Sequence, residues 1–316
     1  MSETYVIFGT GALGLAVARQ LLTGGVRVRL VSRSGRAEAA AGVDVLAADV
    51  SDPAAARRAC DGASVVFHCA SGLYATWPQT LPPIMAGIIE GAAAAGARIV
   101  YGDNLYAYGP VSGPITEELP FRPIGASTRV RAEVATTLMN AHATGRVQAT
   151  IGRASDFYGQ QAILSTVGDR VFARAVTGKP AQVLGDPDAL HTNTFIDDFA
   201  RALVTLAQND DALGQAWHVP SAETVTTRRF VEMVFEQAGA PARLQRTPAA
   251  VIALLGLVNP TIRAVSEVLY QSQGPWRVDH SKYTRAFGGG TTPHPEAISK
   301  TLQWFRQRRA GSAQAN

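Results

Sequence analysis

Three glycines in the run IFGTGALG, Gly9, Gly11 and Gly14, stand in the spacing Gly-x-Gly-x-x-Gly. An apolar run, YVIF (5–8), precedes them, and a helical stretch, Ala12–Thr23, follows. In that context each glycine has a task. Gly9 permits a tight turn, Gly11 lets backbone approach a pyrophosphate, and Gly14 lets the helix pack close to the sheet. The helix N-terminus, with Ala12 and Leu13 at its head, then faces the anion. The next strand ends in LVSRSGR, without the acid that would hold both ribose hydroxyls. Ser32, Arg33, Ser34 and Arg36 instead offer hydroxyls and forked guanidiniums to a 2′-phosphate, and Arg33 can stack on an adenine. NADP is therefore expected over NAD. Asp49 and Val50 in AADVSD, and Cys69 and Ala70 in VVFHCA, complete the expected cofactor set.

A second group of residues could do acid–base work. In DNLYAYG, Asn104, Tyr106 and Tyr108 point to one side if the strand stays extended, because side chains alternate with period two. Tyr106 is then the provisional proton donor at the carboxyl edge, where ligands bind in such sheets. GRASDFYG puts Asp156 and Tyr158 at the mouth of another strand, with Arg153 expected to orient the turn. Tyr74 and Trp77 are candidate cleft walls, and His191 is a candidate for reaching substrate. His68, inside a strand, reads as a core histidine. No histidine or cysteine spacing suggests a metal.

These residues need a scaffold, and the pattern supplies one. Apolar runs at 5–8, 26–31, 43–47, 64–68, 98–101 and 147–152 read as strands, several of them apolar on both faces. Helices are expected at Ala12–Thr23, Pro53–Cys60, Pro82–Ala95 and Ser127–Ala141. Strict alternation of this kind gives an α/β fold, a doubly wound parallel sheet of Rossmann type. After Gly159 the rhythm changes. A helix over Ala162–Thr177, a strand at 182–184, a helix capped by Asp197, a strand in QAWHV and a helix opening at Thr226 or Thr227 are expected. Residues 1–159 and 192–220 then form the dinucleotide domain. Residues 160–191 and 221–316 form a smaller, mostly helical substrate domain.

Composition bounds the rest. Of 316 residues, 47% are hydrophobic and 17% charged, enough apolar content for a sizeable core. The net charge of +4 is mild and scattered, which argues against nucleic acid as a partner. No apolar stretch is long and uninterrupted enough to span a bilayer. With no leader-like segment, and two thiols, Cys60 and Cys69, in no framework, a cytoplasmic location is expected. All but three of the 29 basic residues are arginine, and the three lysines are Lys179, Lys282 and Lys300.

Through IFGTGALG, AADVSD, VVFHCAS, YGDNLYAYG, IGRASDFYG and HTNTFIDDFARAL, the sequence resembles an extended short-chain dehydrogenase/reductase of the NAD-dependent epimerase/dehydratase family. The resemblance covers about residues 4 to 240. It implies a nucleotide sheet, a C-terminal substrate domain, a cleft between them and a homodimer through Pro82–Ala95 and Ser127–Ala141. It also implies a tyrosine acid/base assisted by a lysine and an upstream serine. Counted back from Glu133, those positions are Gly125 for the tyrosine and Arg129 for the lysine, and Asn104 stands for the serine. None of the three lysines has a tyrosine four residues earlier, and Phe8 replaces the usual first glycine. Such chains are atypical members of the group.

The replacements still have chemistry. Asn104 can polarise a carbonyl oxygen, and Arg129 can hold the nicotinamide ribose but cannot relay a proton. Gly125 only makes room. The leading expectation is an NADP(H)-binding enzyme that reduces a small carbonyl compound or oxidises the alcohol. An isomerase or lyase using the nucleotide structurally or transiently is the alternative. A non-catalytic NADP sensor is the third reading.

Overall fold

The computed structural model of the chain describes residues 3–38 and 42–314. Its strands are β1 (Thr4–Phe8), β2 (Arg27–Ser32), β3 (Val43–Ala47), β4 (Ala63–His68), β5 (Arg98–Asn104), β6 (Ala149–Ala154), β7 (Phe157–Tyr158), β8 (Ala181–Leu184), β9 (Leu190–His191), β10 (Thr194–Phe195), β11 (Ala216–His218), β12 (Val225–Thr226) and β13 (Leu244–Thr247). The helices are α1 (Ala12–Leu22), α2 (Pro53–Ala59), α3 (Trp77–Ala95), α4 (Ala126–Ala143), α5 (Ala173–Val176), α6 (Ile196–Gln208), α7 (Thr227–Ala238), α8 (Ala249–Gly256), α9 (Pro260–Ser266), α10 (Ser281–Phe287) and α11 (His294–Gln314).

Seven strands form one sheet in the order β11-β6-β5-β4-β1-β2-β3, every pair parallel. The order reverses between β1 and β4, and that switch point is where a doubly wound sheet opens a crevice at its carboxyl edge. Both faces are covered. On one lie α1 and α6, with Leu15, Leu21, Phe199 and Leu203 against Ile7, Val28 and Leu30. On the other lie α2, α3 and α4, with Met85, Ile88, Val130 and Leu138 against Val6, Val66 and Ile99. Burial on both sides explains the apolar runs of the central strands β1 and β4, whereas the edge strand β3, with no buried residue, carries Asp44. Two smaller cores follow. One packs α5, α7 and α11 around Phe172, Phe230 and Phe305, and the other gathers Leu105, Ile115 and Trp276.

Four expectations are corrected. The helix expected from Pro82 starts at Trp77 and carries Pro82 and Pro83 inside it. Pro78 falls in the first turn, where N–H groups have no intrahelical partner, whereas Pro82 and Pro83 each remove a helical hydrogen bond from the second turn; Trp77 Nε1 ties the start to the Gly72 carbonyl at 2.9 Å. The helix expected over Ala162–Thr177 shrinks to a π-turn at Gly168–Phe172 and then α5. Gly168 is the reason: a Cβ there would lie 2.2 Å from the Ala162 carbonyl, so the chain folds back on itself. Asp197 does not cap α6; Phe195 is the N-cap, and the Asp197 carboxylate pairs with Arg19 at 3.0 Å. The strand bearing Asn104 ends at that residue, and Tyr106–Tyr108 form a 3-10 turn. Asn104 causes the break, since its Oδ1 accepts the Tyr106 N–H at 3.0 Å, a side-chain turn in place of a ladder bond. Thr226, by contrast, caps α7 by accepting from the Arg229 N–H.

Candidate active site

The glycine run sits between β1 and α1 at the switch point. Gly9 adopts φ +109°, and a Cβ there would press on the Cys69 carbonyl at 2.7 Å and on Ala70. Gly14 is closer still, since its Cβ would stand 1.9 Å from the Gly9 carbonyl. Gly11 differs: a Cβ would meet nothing within 4 Å. It is the N-cap of α1, without a side-chain cap and with no acid in the first turn. Open space over uncapped helix N–H groups fits a pyrophosphate, and the residues present therefore fit a dinucleotide.

Around this loop, Ser32 ends β2, its Oγ lies 3.5 Å from Ser34 Oγ, and Ser34 Oγ accepts the Arg36 N–H. Arg33 and Arg36 are exposed. The Asp49 carboxylate accepts from the Ser51 hydroxyl and N–H, which holds its pKa below the usual range. Val50 is buried beneath Gly87 of α3, where a Cβ would meet the Val50 carbonyl at 1.7 Å. A cleft of about 660 Å³ flanks the loop, lined by Thr10, Gly11, Arg36, Glu38, Gln161 and Trp304 among others. Glu38 and Gln161, hydrogen-bonded at 3.4 Å, were not foreseen from the sequence.

The acid–base group assembles from distant segments. The hydroxyls of Tyr74 and Tyr106 lie 2.8 Å apart, 32 residues apart in sequence. Tyr74 stacks on Trp77 at 4.2 Å between ring centres, and Tyr270 donates its hydroxyl to the Tyr106 carbonyl. Burial raises the pKa of Tyr106 well above that of a free phenol, and raises Tyr74 as well. Asp156 holds His191 Nε2 at 3.2 Å, and its charge is felt at Tyr74, Tyr106 and Tyr270. Asn104 begins the turn that carries Tyr106 into this group, and its Nδ2 makes no hydrogen bond among the described residues.

Below the phenols lies a buried charge network. Arg131 sits over the Trp77 ring at 4.0 Å, donates to the Tyr101 hydroxyl at 2.8 Å and to Ser71 Oγ at 3.3 Å, and pairs with Asp103. Arg153 reaches the other Asp103 oxygen and donates to Tyr108, whose hydroxyl meets His218 Nε2 at 3.0 Å. Arg153 thus ties β6 to β5 and to the Tyr106–Tyr108 turn, not the turn of Asp156. His68 is in the core, stacked on Tyr101 at 4.6 Å, and its Nδ1 has no partner among the described residues.

Two expected site residues lie elsewhere. Arg129 is exposed, on the stripe of α4 that also carries Ala126, Glu133 and Asn140. The inward stripe carries Ser127, Thr128, Val130 and Arg131, so the buried guanidinium of this helix is Arg131. Tyr158 is 1% exposed, packed among Phe172, Phe195 and Phe230 with its hydroxyl on His294, so it cannot line a cleft. Tyr108, expected beside Tyr106, instead points into the charge network. Trp77 is buried and walls the site from behind Tyr74.

The room left by Gly125 is filled. The Glu267 carboxylate occupies it, accepting the Ser127 N–H at 2.8 Å, and a Cβ on Gly125 would lie 2.4 Å from Glu267 Cδ. A carboxylate at the N-terminus of α4 satisfies an orphan donor and complements the helix dipole.

The profile of the NAD dependent epimerase/dehydratase family matches residues 5–219, more than half of the chain. The chain belongs to that family. Two characterised enzymes are similar to it. A dTDP-6-deoxy-L-talose 4-dehydrogenase (NAD(P)(+)) from Kitasatospora kifunensis is 26% identical over 261 residues, covering 77% of this chain and 81% of that enzyme. A 2-alkyl-3-oxoalkanoate reductase from Shewanella oneidensis is 25% identical over 292 residues, covering 83% and 72%. Among solved structures, an epimerase from Methanothermobacter thermautotrophicus superposes with a TM-score of 0.83 at 15% identity, covering 99% and 95%. The dTDP-glucose 4,6-dehydratase DesIV of Streptomyces venezuelae superposes at 0.80 and 18% identity, covering 98% of each chain. The chain is thus an NAD(P)-dependent member of this enzyme family with its fold, a parallel sheet under flanking helices. Among the described residues, no helix is long and apolar enough to cross a membrane.

Proposed function

We propose that this family member is an NADP(H)-dependent reductase of small carbonyl compounds, also able to oxidise the alcohol, in which a tyrosine pair replaces the family's tyrosine and lysine. The observation that carries it is the 2.8 Å contact between the Tyr74 and Tyr106 hydroxyls. A bound nicotinamide supplies or accepts the hydride. The protein's task is then to hold the carbonyl oxygen and give it a proton. Asn104 Nδ2 donates to that oxygen. Tyr74, the less buried phenol, delivers the proton, and Tyr106 behind it shares the charge left on the pair. Arg131 stabilises that charge, since its field lowers the pKa of both phenols against burial. It cannot give up its own proton. Both characterised relatives bear names of dehydrogenase or reductase chemistry, which agrees with this reading.

Ser32, Arg33, Ser34 and Arg36 favour NADP, for an ionised acid in their place would repel the 2′-phosphate. We assign the cofactor to 1–159 and 192–220 and the substrate to 160–191 and 221–316. The outer faces of α3 and α4 are those a second copy would cover. The test is NADPH oxidation against a panel of ketones, 3-oxo acids and keto-sugars. Tyr74→Phe and Tyr106→Phe are expected to lower kcat by about 10²–10⁴, and Arg33→Ala to weaken NADPH more than NADH. Full turnover in both phenylalanine variants would refute the tyrosine assignment, and conversion without net NADPH consumption would point to an isomerase or lyase.

A further inference from the structure

The segments around the acid–base corner lead outward to a bare apolar surface. Among the described residues, seven large apolar side chains are exposed. Four of them, Val251, Leu254, Leu257 and Val258, lie at 44% to 83% exposure on α8 and the turn into α9. Two more border that hairpin. Leu73 precedes the Tyr74–Thr76 turn on which α9 packs, and Ile124 precedes Gly125, which faces Glu267 at the end of α9. The inner seam of the hairpin holds Ile252, Gly256 and Ala264, all buried, and a Cβ on Gly256 would lie 3.2 Å from Arg263 Cα. The run AAVIALLGLV (249–258) has no polar side chain, so α8 is apolar both where it packs and where it faces out. A helix apolar all round belongs inside a protein or in lipid.

Charge decides what covers it. From Gln237 to Ser266 the chain has no acid, and Arg243, Arg246 and Arg263 are all exposed. We infer that the α8–α9 hairpin is an interfacial anchor that seats the protein on an anionic lipid surface, its bare apolar side chains among the acyl chains and its arginines among the headgroups. The eight residues of α8 rise about 12 Å, far short of the roughly 30 Å of a hydrocarbon core. The hairpin therefore lies in the interface and does not cross it. A second copy of the chain fits this face poorly. In a two-fold contact the same patch meets itself, which brings two sets of three guanidiniums together with no acid of the hairpin between them. The foot of the hairpin is tied to the acid–base corner, through Glu267 on the Ser127 N–H and Tyr270 on the Tyr106 carbonyl. The anchor does not depend on the reductase reading.

The experiment is co-sedimentation of the full chain with vesicles, of phosphatidylcholine alone or of phosphatidylcholine and phosphatidylglycerol in equal parts. The wild type is expected to bind the mixed vesicles, less tightly as salt is raised, and the neutral ones about a hundredfold more weakly. Arg243→Gln, Arg246→Gln and Arg263→Gln together should cost about a hundredfold on the mixed vesicles, from about fivefold per charge. Leu254→Ser with Leu257→Ser should cost about tenfold or more, with an unchanged urea midpoint because both side chains are already exposed. If that variant fails to fold, Leu257→Trp takes its place. Its fluorescence should shift to the blue on the mixed vesicles and be quenched by lipids brominated on their acyl chains. No binding of the wild type to the mixed vesicles, binding that either set of changes leaves intact, or an unshifted Leu257→Trp spectrum overturns the anchor. So does a lipid-free dimer in ultracentrifugation that the serine changes dissociate, since a second copy then covers the patch.

Discussion

Replacing Asp103 by asparagine isolates what the buried charge network contributes. One carboxylate, 3% exposed, faces two guanidiniums, Arg131 and Arg153, at 5% and 4% exposed. The contacts are long, 3.5 Å from Arg131 to Oδ1 and 3.3 Å from Arg153 to Oδ2, and Oδ1 makes no hydrogen bond among the described residues. The attraction is therefore mostly charge and hardly hydrogen bonding. The amide keeps the shape and removes the charge, leaving two buried cations facing each other. Breaking a buried pair in this way costs about 3–5 kcal/mol. Arg131 retains the Tyr101 hydroxyl and the Trp77 face, and Arg153 retains Tyr108, so the lower end applies. About 3 kcal/mol is roughly a hundredfold in the folding equilibrium. Urea unfolding followed by tryptophan fluorescence measures it, and Asp103→Asn with Arg131→Met should recover part of the loss by removing one stranded charge. A loss under about 1 kcal/mol in Asp103→Asn, or additivity of the two changes, would refute the argument.

Three further outcomes follow from named contacts. His68 and His218 have pKa values pushed down to about 3 by burial, below the usual 6.5. The unfolded chain therefore binds more protons between those values, stability falls as pH drops from about 6.5 toward 3, and His68→Phe should flatten that slope by about 1.4 kcal/mol per pH unit; an unchanged slope would count against a neutral buried His68. Gly14→Ala should abolish dinucleotide binding in calorimetry, because the methyl group meets the Gly9 carbonyl at 1.9 Å. Glu267→Ala, by uncapping α4 at Ser127, should cost about 1 kcal/mol, read as a lower urea midpoint.

The centre of the sheet was legible because a strand buried on both faces must be apolar throughout, and β2 and β3 still show as short runs rich in valine and leucine, so all six expected strands of the large sheet are present. The glycine run was legible for a similar reason, as close backbone approach leaves no other residue type at Gly9 and Gly14. The acid–base corner was much less so. Period-two reasoning at Asn104 failed since a side chain competing for a backbone N–H ended the strand, and neither hydropathy nor spacing records that competition. The Tyr74–Tyr106 contact joins two loops through tertiary packing alone. The two arginines of α4 are told apart by helical phase. Ser127, Val130, Arg131, Val134 and Leu138 recur at helical spacing, and that phase turns Arg131 inward and Arg129 out. Glu267, 140 residues from its partner Ser127, left no local signal.

That carboxylate also bears on whether the lost chemistry could be put back. A tyrosine at position 125 would have to displace the Glu267 carboxylate, and with it the acceptor of the Ser127 N–H. The space beside the helix start has become a joint between two distant segments of the chain, and restoring a bulky residue there would trade that joint away.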